Sequence, residues 1–294
     1  MLHRMRMLAP PPKYYPKWLL RKWIDRSFAS SFGHPVNWKD PKSFPEKVQW
    51  YKIYYRDPVM TRIVDKVTFK DYVREKLGDG HTARLFAKWY RPEEIDLSKL
   101  TPPYVLKSNC SSEGDNIIFV SGPVADEKAL VETMRSWFDA KNRAQYGDRF
   151  AYWNVRPCVF AEEYVNEIGE GATDYKFYCF DGKVCYCFSA TDRFQNGKVR
   201  PIRQAFYDAD WNVLDVRGRD HAEICPLPKP RHFDEMKKLA ETLSVGFPHV
   251  RVDFYDTPDA PLVGEMTFYS AGGLEPHYPG SFDLEMGETF HLPK

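Results

Sequence analysis

The dipeptide Asp181-Gly182 stands between two alternating apolar runs, "DYKFYCF" and "KVCYCFSAT", and no other feature limits the fold of this chain as much. Asp-Gly tolerates left-handed backbone at both central positions of a two-residue turn, so the flanking strands must pair antiparallel. Runs of the same kind occur in "PPYVLKSN", "CVFAEEYV", "HVRVDFYDT" and "LVGEMTF", all rich in Val, Phe and Tyr at a period of two. Two amphipathic segments separate them, one near Asp126 to Lys141 and the other "RHFDEMKKLAETLSVG", where Gly246 is a stop signal. Strands interleaved with helices and joined by a hairpin predict an α+β fold of two lobes, not a doubly wound parallel sheet. At 294 residues, 43% of them hydrophobic, the chain can bury the cores such lobes need.

Two further helices are expected before the strands. In "WLLRKWIDRSFASSF", Trp18, Leu19, Trp23 and Ile24 are spaced for one face, with Lys17, Arg21, Lys22 and Arg26 around it. That face either packs on the body or lies on an anionic membrane. "DPVMTRIVDKVTFKDYVREKLGDG" reads as a helix opened by Asp57-Pro58 and closed near Gly78. The chain divides on this reading into a basic, Pro-rich helical extension (1–56), a first lobe (57–165) and a second lobe (166–294). The N-terminal segment has neither the apolar core of a signal peptide nor a run long enough to span a bilayer, so a cytoplasmic location is expected. The 42 basic and 41 acidic residues of the whole chain nearly cancel, which argues against nucleic acid and requires any anion site to be built locally. The six cysteines form no CxxC pair, and zinc is not expected. Cys185 and Cys187 should share one strand face as small buried hydrophobes.

Two places carry chemistry. Lys107 ends a strand and is followed by "SNCSSEGDN", whose hydroxyls, backbone N–H groups and Gly114 suit a polyphosphate; a solvated strand-end charge is the alternative. In "RVDFYDTPDAPLVGEMTFYSAGG", Arg251, Asp253 and Tyr255 fall on one strand face, with Val250, Val252 and Phe254 on the other. A turn at Pro258 to Pro261 would bring Glu265 and Thr267 opposite Arg251 and Asp253. Two carboxylates and a hydroxyl fit Mg²⁺ that also takes phosphate oxygens, and a cluster of surface ion pairs is the alternative.

The order of these motifs resembles the ATP-grasp superfamily, and within it the TupA-like branch of bacterial surface polysaccharide biosynthesis. The resemblance runs from about Pro41 to Leu292 through "DPKSFPEKVQWYKIYYRDP", "VDKVTFKDYV", "PPYVLKSN", "RPCVFAEEYV", "DYKFYCFDGKV" and the C-terminal segment. It implies an ATP-grasp fold with two α+β lobes clasping ATP behind a short helical extension, and ATP and Mg²⁺ as cofactors. Lys107 would hold the α- and β-phosphates under a loop containing Ser111, Ser112 and Gly114. Glu162, Glu163, Tyr164 and Val165 match the hinge that meets adenine and ribose, while Asp174 and Lys176 would point into the cleft. Asp253, Glu265 and Thr267 match the metal ligands. Arg251 would face the transferred phosphate, Ser270, Gly272 and Gly273 would line an acceptor carboxylate, and Lys66 matches a position that in some members reaches phosphate.

Two departures stand out. The branch pattern Asn-His-Gly-Ser-Gly is replaced here by Asn109-Cys110-Ser111-Ser112-Glu113-Gly114, and Thr267 replaces an Asn.

The resemblance implies carboxylate–amine ligation through an acyl phosphate, with Lys107, Lys176 and Arg251 as the charged catalytic residues. The carboxylate would belong to a uronic acid, nucleotide-linked or polymeric, and the amine to an amino acid or amino alcohol, or the reverse. A glycosyltransferase, a sugar phosphotransferase and a non-catalytic nucleotide-binding module are the alternatives.

Overall fold

A computed structural model describes residues 15–109, 116–139, 147–165, 173–191, 194–195, 198–199, 203–218 and 223–293. The described residues open with four helices: α1 (Lys17–Phe32), α2 (Phe44–Tyr54), α3 (Val59–Val64) and α4 (Thr68–Leu77). Strands β1 (Leu85–Trp89), β2 (Tyr104–Ser108) and β3 (Ile117–Val120), helix α5 (Glu127–Ser136) and strand β4 (Val159–Glu163) follow. Then come β5 (Asp174–Phe180), β6 (Lys183–Thr191), β7 (Phe194–Gln195), β8 (Lys198–Val199), β9 (Arg203–Asp208) and β10 (Val213–Leu214). Helix α6 (Phe233–Ser244), strands β11 (His249–Asp256) and β12 (Pro261–Thr267), and helix α7 (Ser281–Thr289) complete the order.

The strands form a four-stranded sheet, β1-β4-β2-β3, a six-stranded sheet, β10-β9-β6-β5-β11-β12, and a separate ribbon of β7 with β8. Every strand pairing in both sheets is antiparallel. The hairpin turn adopts left-handed backbone at Asp181 (φ 48°) and Gly182 (φ 79°), as the Asp-Gly signal requires. Its strands hold one irregularity: Cys179 pairs with Val184 and Tyr178 with Tyr186, so Cys185 is the extra residue of a bulge. That bulge separates the two cysteines expected on one buried face. Cys187 is buried, and Cys185 is half-buried.

The helices depart from the sequence expectation in two places. Residues 57–78 do not form one helix, because the chain bends between α3 and α4. The Asp65 carboxylate causes the bend: its Oδ1 accepts from the Val67 N–H at 3.0 Å and from Asn109 Nδ2 at 3.0 Å. A short acid that bonds backbone two residues on competes with the helical ladder. In α1 the buried stripe is Leu20, Ile24 and Phe28, packed against Val36 and Ile53. Trp18, expected on the inner face, is 60% exposed. The remaining ends follow their signals, with Asp126 capping α5 through the Ala129 N–H at 2.9 Å and Gly78 stopping α4 at φ 91°.

The larger core joins Phe177, Val250, Val252 and Phe254 of the six-stranded sheet to α6 and to Tyr51, Met60, Ile63 and Phe69 from α2, α3 and α4. Packing therefore groups α2 to α4 with the later strands, where the sequence-based division had placed 1–56 and 57–165 apart from them. Helix α2 is locked in by a capping box between Ser43 and Glu46, and by Lys47 Nζ, which donates to the Gly287 and Phe290 carbonyls at 2.7 and 2.9 Å. The smaller core, with Trp89, Leu106, Met134 and Val159, lies between α5 and one face of the four-stranded sheet. The opposite face of that sheet carries Lys107 and Glu162 towards β11 and β12.

Candidate functional site

The first cluster forms on β2 and β4. Their register sets Lys107 opposite Phe160 and Val105 opposite Glu162, so Lys107 and Glu162 are diagonal neighbours on one face. Glu162 Oε1 accepts from Lys107 Nζ at 2.5 Å, and Oε2 lies 2.8 Å from Lys70 Nζ. Lys70 also donates to the Ala83 carbonyl at 2.6 Å. Burial by itself would raise the Glu162 carboxyl, but Lys107 and Lys70 outweigh it and hold the group at about 2. An anionic Glu162 thus orders two ammonium groups, one from α4 and one from β2.

The sequence singles out Lys66, at a position that only in some members reaches phosphate, and not Lys70. Lys66 lies in the bend between α3 and α4, and Lys70, on the first turn of α4, is the one that reaches Glu162. The available signal was a lysine next to a buried aromatic at the start of an amphipathic helix, and that pattern is common on solvated faces.

Asn109 pins the base of the loop that follows. Its side-chain oxygen accepts from the Cys158 N–H at 2.7 Å, and its Nδ2 donates to the Arg156 carbonyl at 2.9 Å as well as to Asp65. Ser111, Ser112 and Gly114 lie outside the described residues. Glu163 turns to β1, where its Oε2 accepts from the Arg84 N–H at 3.1 Å. Tyr164 sets its ring edge-on to Phe119, with centroids 5.9 Å apart, and Val165 is buried.

The second cluster spans three strands of the larger sheet. Lys176, Asp253 and Glu265 are directly opposite one another across β5, β11 and β12, and Tyr178, Arg251 and Thr267 form the next row. The expected alternation holds: Val250, Val252 and Phe254 are buried in the core on the other face. Arg251 grips Asp253 with both arms of its fork, Nε to Oδ1 at 2.7 Å and Nη2 to Oδ2 at 2.7 Å. Lys176 Nζ donates to Asp253 Oδ2 at 2.8 Å and to Asp174 Oδ2 at 3.3 Å. Thr267 Oγ1 donates to Glu265 Oε1 at 3.1 Å. Burial would raise the Asp253 carboxyl, yet Arg251 and Lys176 keep it below the usual carboxylate range.

These side chains are not a solvated surface pairing, since Arg251, Asp253 and Lys176 are only 14%, 9% and 12% exposed. Among the described residues no three His, Cys, Asp or Glu side chains converge as a metal cage. Asp253, Glu265 and Thr267 bring two carboxylates and a hydroxyl together on adjoining strands, with both Asp253 oxygens held by Arg251 and Lys176. The two clusters meet at Tyr255, which follows Asp253 on the same strand face. Together with Gly264, it lines a cavity of about 30 Å³ with Lys70, Lys107 and Glu162.

A third cluster underlies Ser270, Gly272 and Gly273. Ala271, Gly272 and Gly273 are all left-handed, at φ 47°, 63° and 61°. A Cβ on Gly272 would come within 2.6 Å of the Arg149 guanidinium, and one on Gly273 would meet Val48 and Gln49. Gln49 Nε2 donates to the Gly272 and Gly273 carbonyls at 2.9 and 2.6 Å. Lys52 Nζ donates in turn to Gln49 Oε1 at 2.9 Å and to Asp148 Oδ2 at 2.8 Å. Burial lowers Lys52 to about 8 against the pull of Asp148, which leaves the ammonium charged at neutral pH. Ser270 Oγ is buried and has no hydrogen-bond partner among the described residues. Sequence reasoning missed Gln49, Lys52, Asp148 and Arg149, because nothing local marks a lysine on an amphipathic helix as buried.

A family profile described as TupA-like ATPgrasp matches residues 46–291. Among curated proteins none matches the chain. Similar solved structures include D-alanine–D-alanine ligase from Bacillus anthracis, at 18% identity over 83% of this chain and 73% of that one, with a TM-score of 0.43. The same enzyme complexed with ATP shares 15% identity over 70% of this chain, which spans only 53% of the ligase chain, with a TM-score of 0.39. Phosphoribosylamine–glycine ligase from Thermotoga maritima shares 14% identity over 71% of this chain and 48% of that one, with a TM-score of 0.44. The profile match begins in the first turn of α2 and ends beyond α7, taking in every strand of both antiparallel sheets, so the fold is the α+β ATP-grasp fold and the chain belongs to the TupA-like ATP-grasp family.

Proposed function

We propose that the chain is an ATP-dependent carboxylate–amine ligase that joins an amino acid or amino alcohol to a uronic acid of a bacterial surface polysaccharide or its nucleotide-linked precursor, or the reverse pairing. The observation that supports this most is the meeting of two buried charge clusters at Tyr255, one rich in ammonium groups and the other in hard oxygen donors. ATP with Mg²⁺ is the typical cofactor pair of the family. Lys107 and Lys70 take the α- and β-phosphates, the role that the sequence also suggested for Ser111, Ser112 and Gly114, which lie outside the described residues. Glu163, Tyr164 and Val165 take the adenosine end. Glu162, matched with them to the hinge, orients the two lysines. Mg²⁺ held by Asp253, Glu265 and Thr267 would neutralise phosphate charge.

Lys176, fixed by Asp174 and Asp253, and Arg251 face the phosphoryl group as it moves. A carboxylate oxygen of the substrate attacks the γ-phosphorus and ADP leaves. The amine then attacks the acyl carbon, and phosphate departs with the amide formed. Ser270, Gly272, Gly273 and Arg149 receive the acceptor carboxylate. Positioning two substrates in a closed cleft supplies on the order of 7–11 kcal/mol of such a barrier, which is why no protein nucleophile is needed.

The test is interception of the mixed anhydride. With uronic acids as carboxylate and hydroxylamine as amine, the chain should give a hydroxamate and ADP in equal amounts. Lys107→Ala should suppress both, since it acts before the amine is involved. ADP without hydroxamate would instead indicate a sugar phosphotransferase. A nucleoside diphosphate released from a sugar donor without ATP would indicate a glycosyltransferase, and nucleotide binding with no turnover a non-catalytic module.

A further inference from the structure

We infer that the outward face of α1 docks the protein on an anionic lipid bilayer, a role independent of the catalytic reading. The helix is attached to the body by Leu20, Ile24 and Phe28, all buried. On the far side of the helix, Trp18, Lys22 and Arg26 recur every fourth residue and are exposed. Lys22 Nζ lies 5.3 Å from the Trp18 ring centre, so indole and ammonium form one patch.

The acid of this helix does not dilute that charge. Asp25 turns inward, its Oδ1 accepting from Trp38 Nε1 at 2.8 Å and from the Val36 N–H at 3.2 Å. Lys17 and Arg21 also turn in, the ammonium 5.0 Å from the Tyr54 ring and the guanidinium 4.9 Å from the Trp38 ring. The outward stripe is therefore purely cationic on a chain whose total charge is near zero, with 42 basic and 41 acidic residues.

Trp18 selects the partner. An indole 60% exposed at the end of a cationic stripe gains by entering the headgroup region, where amphipathic rings collect, whereas a soluble polyanion offers that ring no comparable apolar layer. Tyr15, 40% exposed, precedes it on the same end. No helix among the described residues is long and apolar enough to cross a membrane, so the contact is interfacial.

The full chain can be sedimented with vesicles of phosphatidylcholine alone or with about one quarter phosphatidylglycerol, near physiological ionic strength. Binding to the anionic vesicles only, weakening as salt rises, is expected. Replacing Lys22 and Arg26 together by Gln should lower the partition coefficient on the order of thirtyfold, the loss of two cations near the surface. Trp18→Ala should lower it about several-fold with the salt dependence retained. All three side chains are exposed, so an unchanged thermal midpoint serves as the folding control. The inference is overturned if the chain does not bind anionic vesicles, or if the double variant binds as the parent does. It is also overturned if Trp18→Ala has no effect while heparin competes as well as vesicles do, which would mark a polyanion site.

Discussion

Replacing Glu162 by Gln tests the centre of the proposed phosphate site. The Glu162 side chain is 7% exposed and both its oxygens are bound, to Lys107 and Lys70. Burial opposes its ionisation, yet the two ammonium groups bring the carboxyl from 4.5 to about 2. That drop corresponds to on the order of 3 kcal/mol of stability carried by the ionised form. The sign follows from linkage: a carboxyl depressed in the folded state stabilises above its unfolded value and loses that contribution as pH falls through the folded one. Gln imitates the protonated acid at every pH. The variant should therefore be less stable than the parent by about 3 kcal/mol at neutral pH, with a gap that holds down to about pH 5 and then closes towards about pH 2. Urea unfolding at a series of pH values measures it. A gap within about 0.5 kcal/mol at neutral pH, the size of an ordinary surface change, would refute the reasoning, as would a gap that does not shrink in acid. Nucleotide affinity gives a second reading. With one negative charge fewer beside Lys107 and Lys70, ATP should bind at least as tightly, and a loss of affinity would assign the carboxylate to the nucleotide itself.

The buried pair of Lys52 and Asp148, 1% and 7% exposed, makes Lys52→Met costly, by about 3–5 kcal/mol, because Asp148 is left charged and unpaired; adding Asp148→Asn should recover most of it in thermal unfolding. Equal stability of parent and Lys52→Met would sink that argument. Asp253→Asn and Glu265→Gln should each abolish Mg²⁺-dependent ADP release while far-ultraviolet circular dichroism stays unchanged. Among the described residues no salt bridge holds Glu265, so its variant is the cleaner of the two, and near-parental rates in both would remove the metal assignment.

What could be read from the sequence were features decided within a few residues. Alternation along β11 placed Arg251, Asp253 and Tyr255 on one face and Val250, Val252 and Phe254 on the other, since a strand repeats every two residues whatever surrounds it. The short return to β12 then set Glu265 opposite Asp253, and Asp181-Gly182 set the hairpin of β5 and β6. Ordered short motifs were enough to reach the family.

The tertiary structure decided which polar groups are buried and with whom. Asp65 ends a helix that local propensity would continue, because Asn109, 44 residues on, holds its carboxylate. Lys70 rather than Lys66 reaches Glu162, 92 residues away in sequence by their numbers, through the angle at which that bend sends α4 across the sheet. Gln49 and Lys52 look like solvated positions of α2 until Gly272, Gly273 and Asp148 close over them. Trp18 and Leu20 are equally apolar in the sequence, and only contact with Val36 and Ile53 selects the stripe that is buried. Periodicity is a property of the local backbone, whereas desolvation and ion pairing depend on atoms that distant segments bring within a few ångströms, and no local pattern encodes that approach.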